Sequence, residues 1–191
     1  RMTKVALRDE LMENMDSHTM LLPDGWDLSG GVTWNPLSTW AYVSVDARVA
    51  APDGRHVQFL PNGSFTFYEG TQYPGAFAPL IQQAESMNRQ GGPSSGMRAS
   101  VNVGVPMIRV RYTEGGRAFE EQFTFMYYRM SFGGDMGMGM SMHTYDWAVY
   151  DVRGLRAPAG QLDSSLSMLH TVSTSLTPTR PWKAIVDEIQ K

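Results

Sequence analysis

Between Gly133 and His143 the chain reads Gly-Gly-Asp-Met-Gly-Met-Gly-Met-Ser-Met-His, with methionine at every second position: Met136, Met138, Met140 and Met142. In an extended strand, a period of two places all four thioethers on one face. Thioether sulfur is a soft ligand that selects Cu(I) or Ag(I), and imidazole also suits copper. The strip thus has the donor types for a reduced copper ion, held by two or three sulfurs with His143 as an additional ligand. Two blander uses fit the same residues. Methionine is a flexible gap-filler that can pack on a helix or offer an adaptable surface to a partner, and the intervening glycines fit the tip of a hairpin inserted between two long strands.

Other chemistry is sparse. His18, His56, His143 and His170 are scattered, without the His-Glu-x-x-His or His-x-His spacing of a zinc site. His56 and His170 read as structural, His170 on the inner or boundary face of a helix. The chain has no cysteine, which excludes disulfides, thiolate metal sites and thiol nucleophiles. No phosphate-binding loop or dinucleotide fingerprint occurs. Glu120 and Glu121 fall on opposite faces of a strand, so they are not a natural acid–base pair. One of them is expected to turn inward and pair with Arg109 or Arg111. A hydrolase assembled from dispersed groups is the enzymatic alternative. Of the five tryptophans, Trp26, Trp34, Trp40, Trp147 and Trp182, an exposed set could form a stacking platform for sugars or a peptide; packing is their other use.

The elements that must position these residues are mostly strands. Alternation and turn residues predict strands at Thr19–Leu22, Gly31–Trp34, Ala41–Ala50, Arg55–Leu60, Ser64–Tyr68, Met97–Val103, Pro106–Thr113, Arg117 to about Phe132, and Thr144–Arg156. Pro52-Asp53-Gly54 and Glu114-Gly115-Gly116 mark hairpin turns, and Arg89–Gly96 a surface loop. Helices are predicted at each end and once within the chain. Val5, Leu7, Leu11, Met12 and Met15 follow a near-helical spacing within Thr3–His18, and Phe77, Leu80, Ile81, Ala84 and Met87 do so within Phe77–Asn88. Leu162, Leu166, Leu169 and Val172 begin the C-terminal pair, with Asp163 or a neighbouring serine as cap, and Trp182–Gln190 ends it. The expected class is α+β: a central twisted, mainly antiparallel sheet flanked by helices.

The chain's 191 residues suit one domain, 1–191. The helical pattern running to Gln190 suggests the N-terminal part of a longer protein, and Arg1-Met2 reads as a boundary behind which an export signal was removed. A net charge of −3 without basic runs argues against nucleic acid. No apolar run of eighteen residues is present to span a bilayer.

Several phrases occur together: Leu22-Pro23-Asp24-Gly25-Trp26, Val32-Thr33-Trp34-Asn35-Pro36, Val49-Ala50-Ala51-Pro52-Asp53-Gly54, Arg156-Ala157-Pro158-Ala159-Gly160-Gln161-Leu162 and Ser175-Leu176-Thr177-Pro178. In this order they resemble the PsbP-like domains of bacterial exported proteins and lipoproteins. That resemblance implies an α/β/α sandwich and an extracytoplasmic setting: periplasmic, secreted or lipid-anchored. It implies no catalytic residue and no cofactor. The expected function is a non-enzymatic binding or interaction module for an unidentified protein or small ligand, with Cu(I) or Ag(I) binding as the alternative.

Overall fold

The computed structural model describes residues 1–36, 42–70, 97–137 and 140–189. Among them are eleven strands and two α-helices. They form a three-stranded sheet and a larger antiparallel sheet of eight strands. This β-rich fold replaces the expected α+β architecture and its helix-flanked α/β/α sandwich.

The N-terminal segment accounts for much of the difference. It is not a helix: strand β1 (Met2–Asp9) pairs antiparallel with β2 (Met15–Pro23). The apolar positions that suggested a helical stripe are read by the fold with period two. Leu7 and Asp9 are buried and Val5 half-buried, whereas Ala6 and Arg8 face solvent. The reversal uses a short 3₁₀ turn, Glu10–Met12, followed by Glu13 and Asn14, both left-handed at φ +54° and +59°. A right-handed helix cannot contain that pair. A bulge lies between Leu7 and Arg8, where the Ser17 hydroxyl donates to the Leu7 carbonyl at 2.9 Å.

The larger sheet contains β3 (Asp27–Trp34), β4 (Val43–Ala50), β5 (His56–Leu60), β6 (Gly63–Gly70), β7 (Met97–Gly104), β8 (Met107–Glu114), β9 (Arg117–Gly137) and β10 (Met140–Pro158). Its order is β3-β4-β5-β10-β9-β7, with β6 beside β10 and β8 beside β9. Both predicted hairpin turns form. Gly54 at φ +95° closes β4 onto β5, and Gly115-Gly116, at φ +58° and +78°, closes β8 onto β9. The predicted helix Phe77–Asn88 and loop Arg89–Gly96 lie outside the described residues.

The chain divides into two compact units: residues 1–63, 105–126 and 150–191, and residues 64–104 with 127–149. In the first, Ala47, Val49, Val57, Phe59, Leu155 and Ala157 supply one face of the larger sheet to the core. Helix α1 (Leu162–Thr174) adds Leu162, Leu169 and Val172 at helical spacing, and the smaller sheet adds Leu7 and Met20. Burying each such side chain stabilises the fold by roughly 1.5–3 kcal/mol. The predicted side-chain cap of α1 is not used: Gln161 stands at the N-cap without one, and Ser164 turns back onto the Gln161 carbonyl. His170 is exposed rather than inward or at the boundary. After α1, β11 (Thr177–Pro178) joins β2, and α2 (Arg180–Ile189) carries Trp182 and Val186 inward.

One buried carboxylate ties these pieces together. Asp9 is 1% exposed. Its Oδ1 accepts the Leu11 N–H at 3.1 Å, and its Oδ2 accepts the indole N–H of Trp34 at 2.9 Å and of Trp182 at 2.7 Å. Replacing Asp9 with alanine orphans both indole donors, so we expect Asp9→Ala to cost about 3 kcal/mol in urea-unfolding measurements. Trp182→Phe, which removes a single donor, should cost markedly less; equal losses would contradict this account.

Candidate ligand-binding face

In the unit of residues 64–104 and 127–149, alternation along four strands gathers an aromatic face. On β10, His143, Tyr145 and Trp147 share one side. Phe65 and Phe67 of β6 stand beside them. The Phe65 and Trp147 rings are 6.0 Å apart and stacked at 10°, and Phe67 and Tyr145 are 6.2 Å apart at 32°. The His143 ring stacks on Tyr145 at 6.4 Å. From β9, the Arg129 guanidinium lies 4.9 Å from the centre of Trp147 and 5.8 Å from that of Tyr145, a cation–π contact with both rings. Phe65 and Phe67 are 63% and 57% exposed. Apolar rings of this size normally lie inside, so an exposed paired set is informative.

The polar half of this face comes from β7 and β9. Register places Ser100 opposite Ser131 and Asn102 opposite Arg129. The two serine hydroxyls are 2.6 Å apart, and the Tyr127 hydroxyl donates to the Asn102 side-chain carbonyl. Two glycines make room. The Tyr127 ring lies over Gly104 and the His143 ring against Gly133, where an added Cβ would come within 2.5 Å of either ring. A hollow of about 300 Å³ opens here, lined by Ser100, Ser131, Gly133, Gly134, His143 and Tyr145.

At the end of the methionine strip, His143 joins this face. Met142 is buried, while its neighbour His143 is exposed on the opposite face of β10. The structure therefore does not bring these two donors together. Met138 lies outside the described residues, and Met136 and Met140 are described by backbone alone, at the ends of β9 and β10. Among the described residues, no three of His, Cys, Asp and Glu gather as a metal-binding group.

A second polar constellation, missed in the sequence, lies in the other unit. Glu121 is 4% exposed and His56 is 2% exposed. Glu121 Oε1 accepts from Gln58 at 2.7 Å and from His56 Nε2 at 3.2 Å, and Oε2 accepts from the Tyr112 hydroxyl at 2.7 Å. Arg48 donates to His56 Nδ1 at 2.8 Å, which leaves the imidazole proton on Nε2. Burial lowers the His56 pKa, and the Arg48 and Arg156 charges add to that; the Glu121 hydrogen bond opposes it without prevailing. Burial pushes the Glu121 carboxyl up, yet its bonds from His56 and Tyr112 outweigh burial and hold it below the usual range. Tyr112 is pushed up to about 12 by burial and by its bond to that carboxylate. Acid and base stand within reach, as a hydrolase would need, but both carboxylate oxygens and both imidazole nitrogens are already taken. A hollow of about 180 Å³ reaches Arg48 and Gln58 but is not lined by His56 or Glu121. Its sequence signal was Gly154, a glycine inside a strand, where Glu121 and Gln58 approach to 2.8 Å and 2.7 Å of a would-be Cβ.

The neighbouring carboxylate behaves as the alternation required. Glu120 turns to the other side of β9 and pairs with Arg111, while Arg109 bonds Gln122 and Asp163.

No protein-family model matches the chain, and no curated protein matches it. No helix among the described residues is long and apolar enough to cross a membrane.

The buried histidines predict an acid-sensitive fold. Burial also lowers the His18 pKa, from 6.5 to about 4, despite the opposing Asp9 charge. Unfolded imidazoles bind protons that folded His18 and His56 refuse, so stability is complete above pH 6.5 and declines as pH falls toward 4. Glu121 adds a later loss as pH falls below its unfolded value of 4.5. Urea unfolding across this range should show the decline, and His18→Gln and His56→Gln should each flatten its first part.

Proposed function

We propose that this chain is a non-enzymatic binding module that holds a carbohydrate chain on its aromatic face. The observation that carries the reading is the parallel Phe65–Trp147 pair, Phe65 exposed and Trp147 half-buried, continued by Phe67 and Tyr145. Sugar rings present a C–H face, which stacks on a flat aromatic ring, and a periphery of hydroxyls, which need hydrogen-bond donors and acceptors. Both are offered side by side here: rings on β6 and β10, then Arg129, Asn102, Ser100, Ser131 and His143 across β9 and β7. Single-stranded nucleic acid also stacks on such platforms, but it requires a cationic track. The chain's net charge of −3, without basic runs, argues against one. The saturated His56–Glu121 network favours binding over catalysis, because it has no open valence for a substrate.

An extracytoplasmic setting belongs to the same proposal. A chain without cysteine tolerates oxidising surroundings, and polysaccharides are accessible there. The Cu(I) or Ag(I) reading of the methionine strip stands on the sequence alone.

Binding to a panel of soluble polysaccharides and oligosaccharides, followed by affinity electrophoresis and calorimetry, tests the proposal. At least one glycan should bind saturably. Trp147→Ala should weaken it by about tenfold and Phe65→Ala by several-fold, with circular dichroism unchanged. No binding across the panel, or binding indifferent to both substitutions, would refute it.

A further inference from the structure

The unit of residues 1–63, 105–126 and 150–191 contains a half-open groove of about 450 Å³, within the usual size of small-molecule sites. Val43 and Val45 of β4, Phe59 of β5 and Val186 of α2 make its walls apolar. Its floor holds His18 of β2, 8% exposed, and Trp182 of α2, 4% exposed, with ring centres 4.8 Å apart.

The hydrogen bonds at the floor define what His18 can do. The Ser17 hydroxyl spends its proton on the Leu7 carbonyl, so toward His18 it acts as acceptor. His18 Nδ1, 3.2 Å from that oxygen, is therefore the donor, and the ring proton sits there. Nε2 is left as an acceptor, and no described hydrogen bond involves it. Only Thr144 Oγ1 and Arg156 Nε are fully buried without a partner among the described residues. His18 is 8% exposed and lines the groove, and its Nε2 is the ring nitrogen without a described hydrogen bond.

The rim decides the charge of the ligand. Both oxygens of Asp151 take N–H groups of Arg153 at 2.7 and 2.8 Å, while Arg153 also donates to the Ser173 carbonyl. Lys183 is held by Asp187 at 2.6 and 2.7 Å. Each cation is matched by its own carboxylate, so a charged ligand would have to break an existing pair. Asp151 is also left-handed, at φ +50°, with its N–H on the Asn62 side chain at 3.1 Å. The rim pair is thereby set before any ligand arrives.

We propose that this groove is a second binding site, for a small uncharged amphiphile with an apolar ring body and a hydroxyl donor. Its ring lies between the Val43, Val45 and Phe59 walls, and its O–H is given to Nε2 of His18. A phenol has this chemistry. A site built to accept a hydroxyl proton discriminates against the analogue that lacks it, because the acceptor is then covered without a partner. The site lies in the other unit from the aromatic face, although β10 contributes residues to both.

Nuclear magnetic resonance titration of the whole chain with 4-propylphenol and with its methyl ether, 4-propylanisole, provides the test. The phenol should shift signals of Val45, Trp182 and Val186 saturably and bind about tenfold more tightly than the ether. His18→Phe should abolish that difference, and Val45→Trp should block both probes. If either variant fails to fold, the phenol–ether comparison on the unmodified chain decides alone. No saturable shift, equal affinity for both probes, or shifts confined to Phe65, Tyr145 and Trp147 would each overturn the proposal.

Discussion

An ionised carboxylate buried without a cation is costly unless its oxygens are filled by hydrogen-bond donors. Asp9 meets that condition only when three segments converge: the turn after β1, the end of β3 and the first turn of α2. Each contributes one N–H, and none can be withdrawn without leaving the charge short of a partner. This requirement holds the C-terminal helix against the N-terminal hairpin. It also fixes Trp182, whose ring carries His18 and forms the floor of the groove. The position of the groove is therefore a consequence of satisfying Asp9.

The larger sheet shows how one alternating pattern yields two kinds of polar surface. In one unit, the face opposite the Val49–Val57–Leu155 core carries Arg48, His56, Gln58 and Glu121, whose acceptors and donors answer one another. A network complete in itself stabilises its surroundings and presents nothing to a ligand. In the other unit, Phe65, Tyr145, Trp147 and Arg129 face outward beside serine and asparagine side chains that retain hydrogen-bonding capacity. The residue types are not more reactive there. They are left open.

Much of the strand pattern was legible because glycine and proline turns punctuate it and alternation runs between them. Gly54 and Gly115-Gly116 close hairpins where the sequence indicated. The N-terminal segment misled because Val5, Leu7, Leu11, Met12 and Met15 satisfy a helical stripe as well as a strand followed by a turn. Only the left-handed Glu13 and Asn14, and a partner strand, separate the two readings. With that helix gone, the helix-flanked sandwich suggested by the family resemblance loses its N-terminal layer. The methionine alternation was legible too. Yet period two also determines that His143, next in sequence to Met142, must leave on the other face.

By itself the sequence determined the local periods, the turns and the absence of thiol chemistry, since these depend on residue type and near neighbours. Tertiary structure alone decided which polar groups meet. Trp182 reaches Asp9 across 173 positions, and His56 reaches Glu121 across 65. Both contacts follow from pairing and packing, which bring distant segments side by side once buried apolar area outweighs the entropy of closing the loops between them. The aromatic face has the same origin: Phe65 and Trp147 are unremarkable apart, and become a platform only where β6 lies along β10.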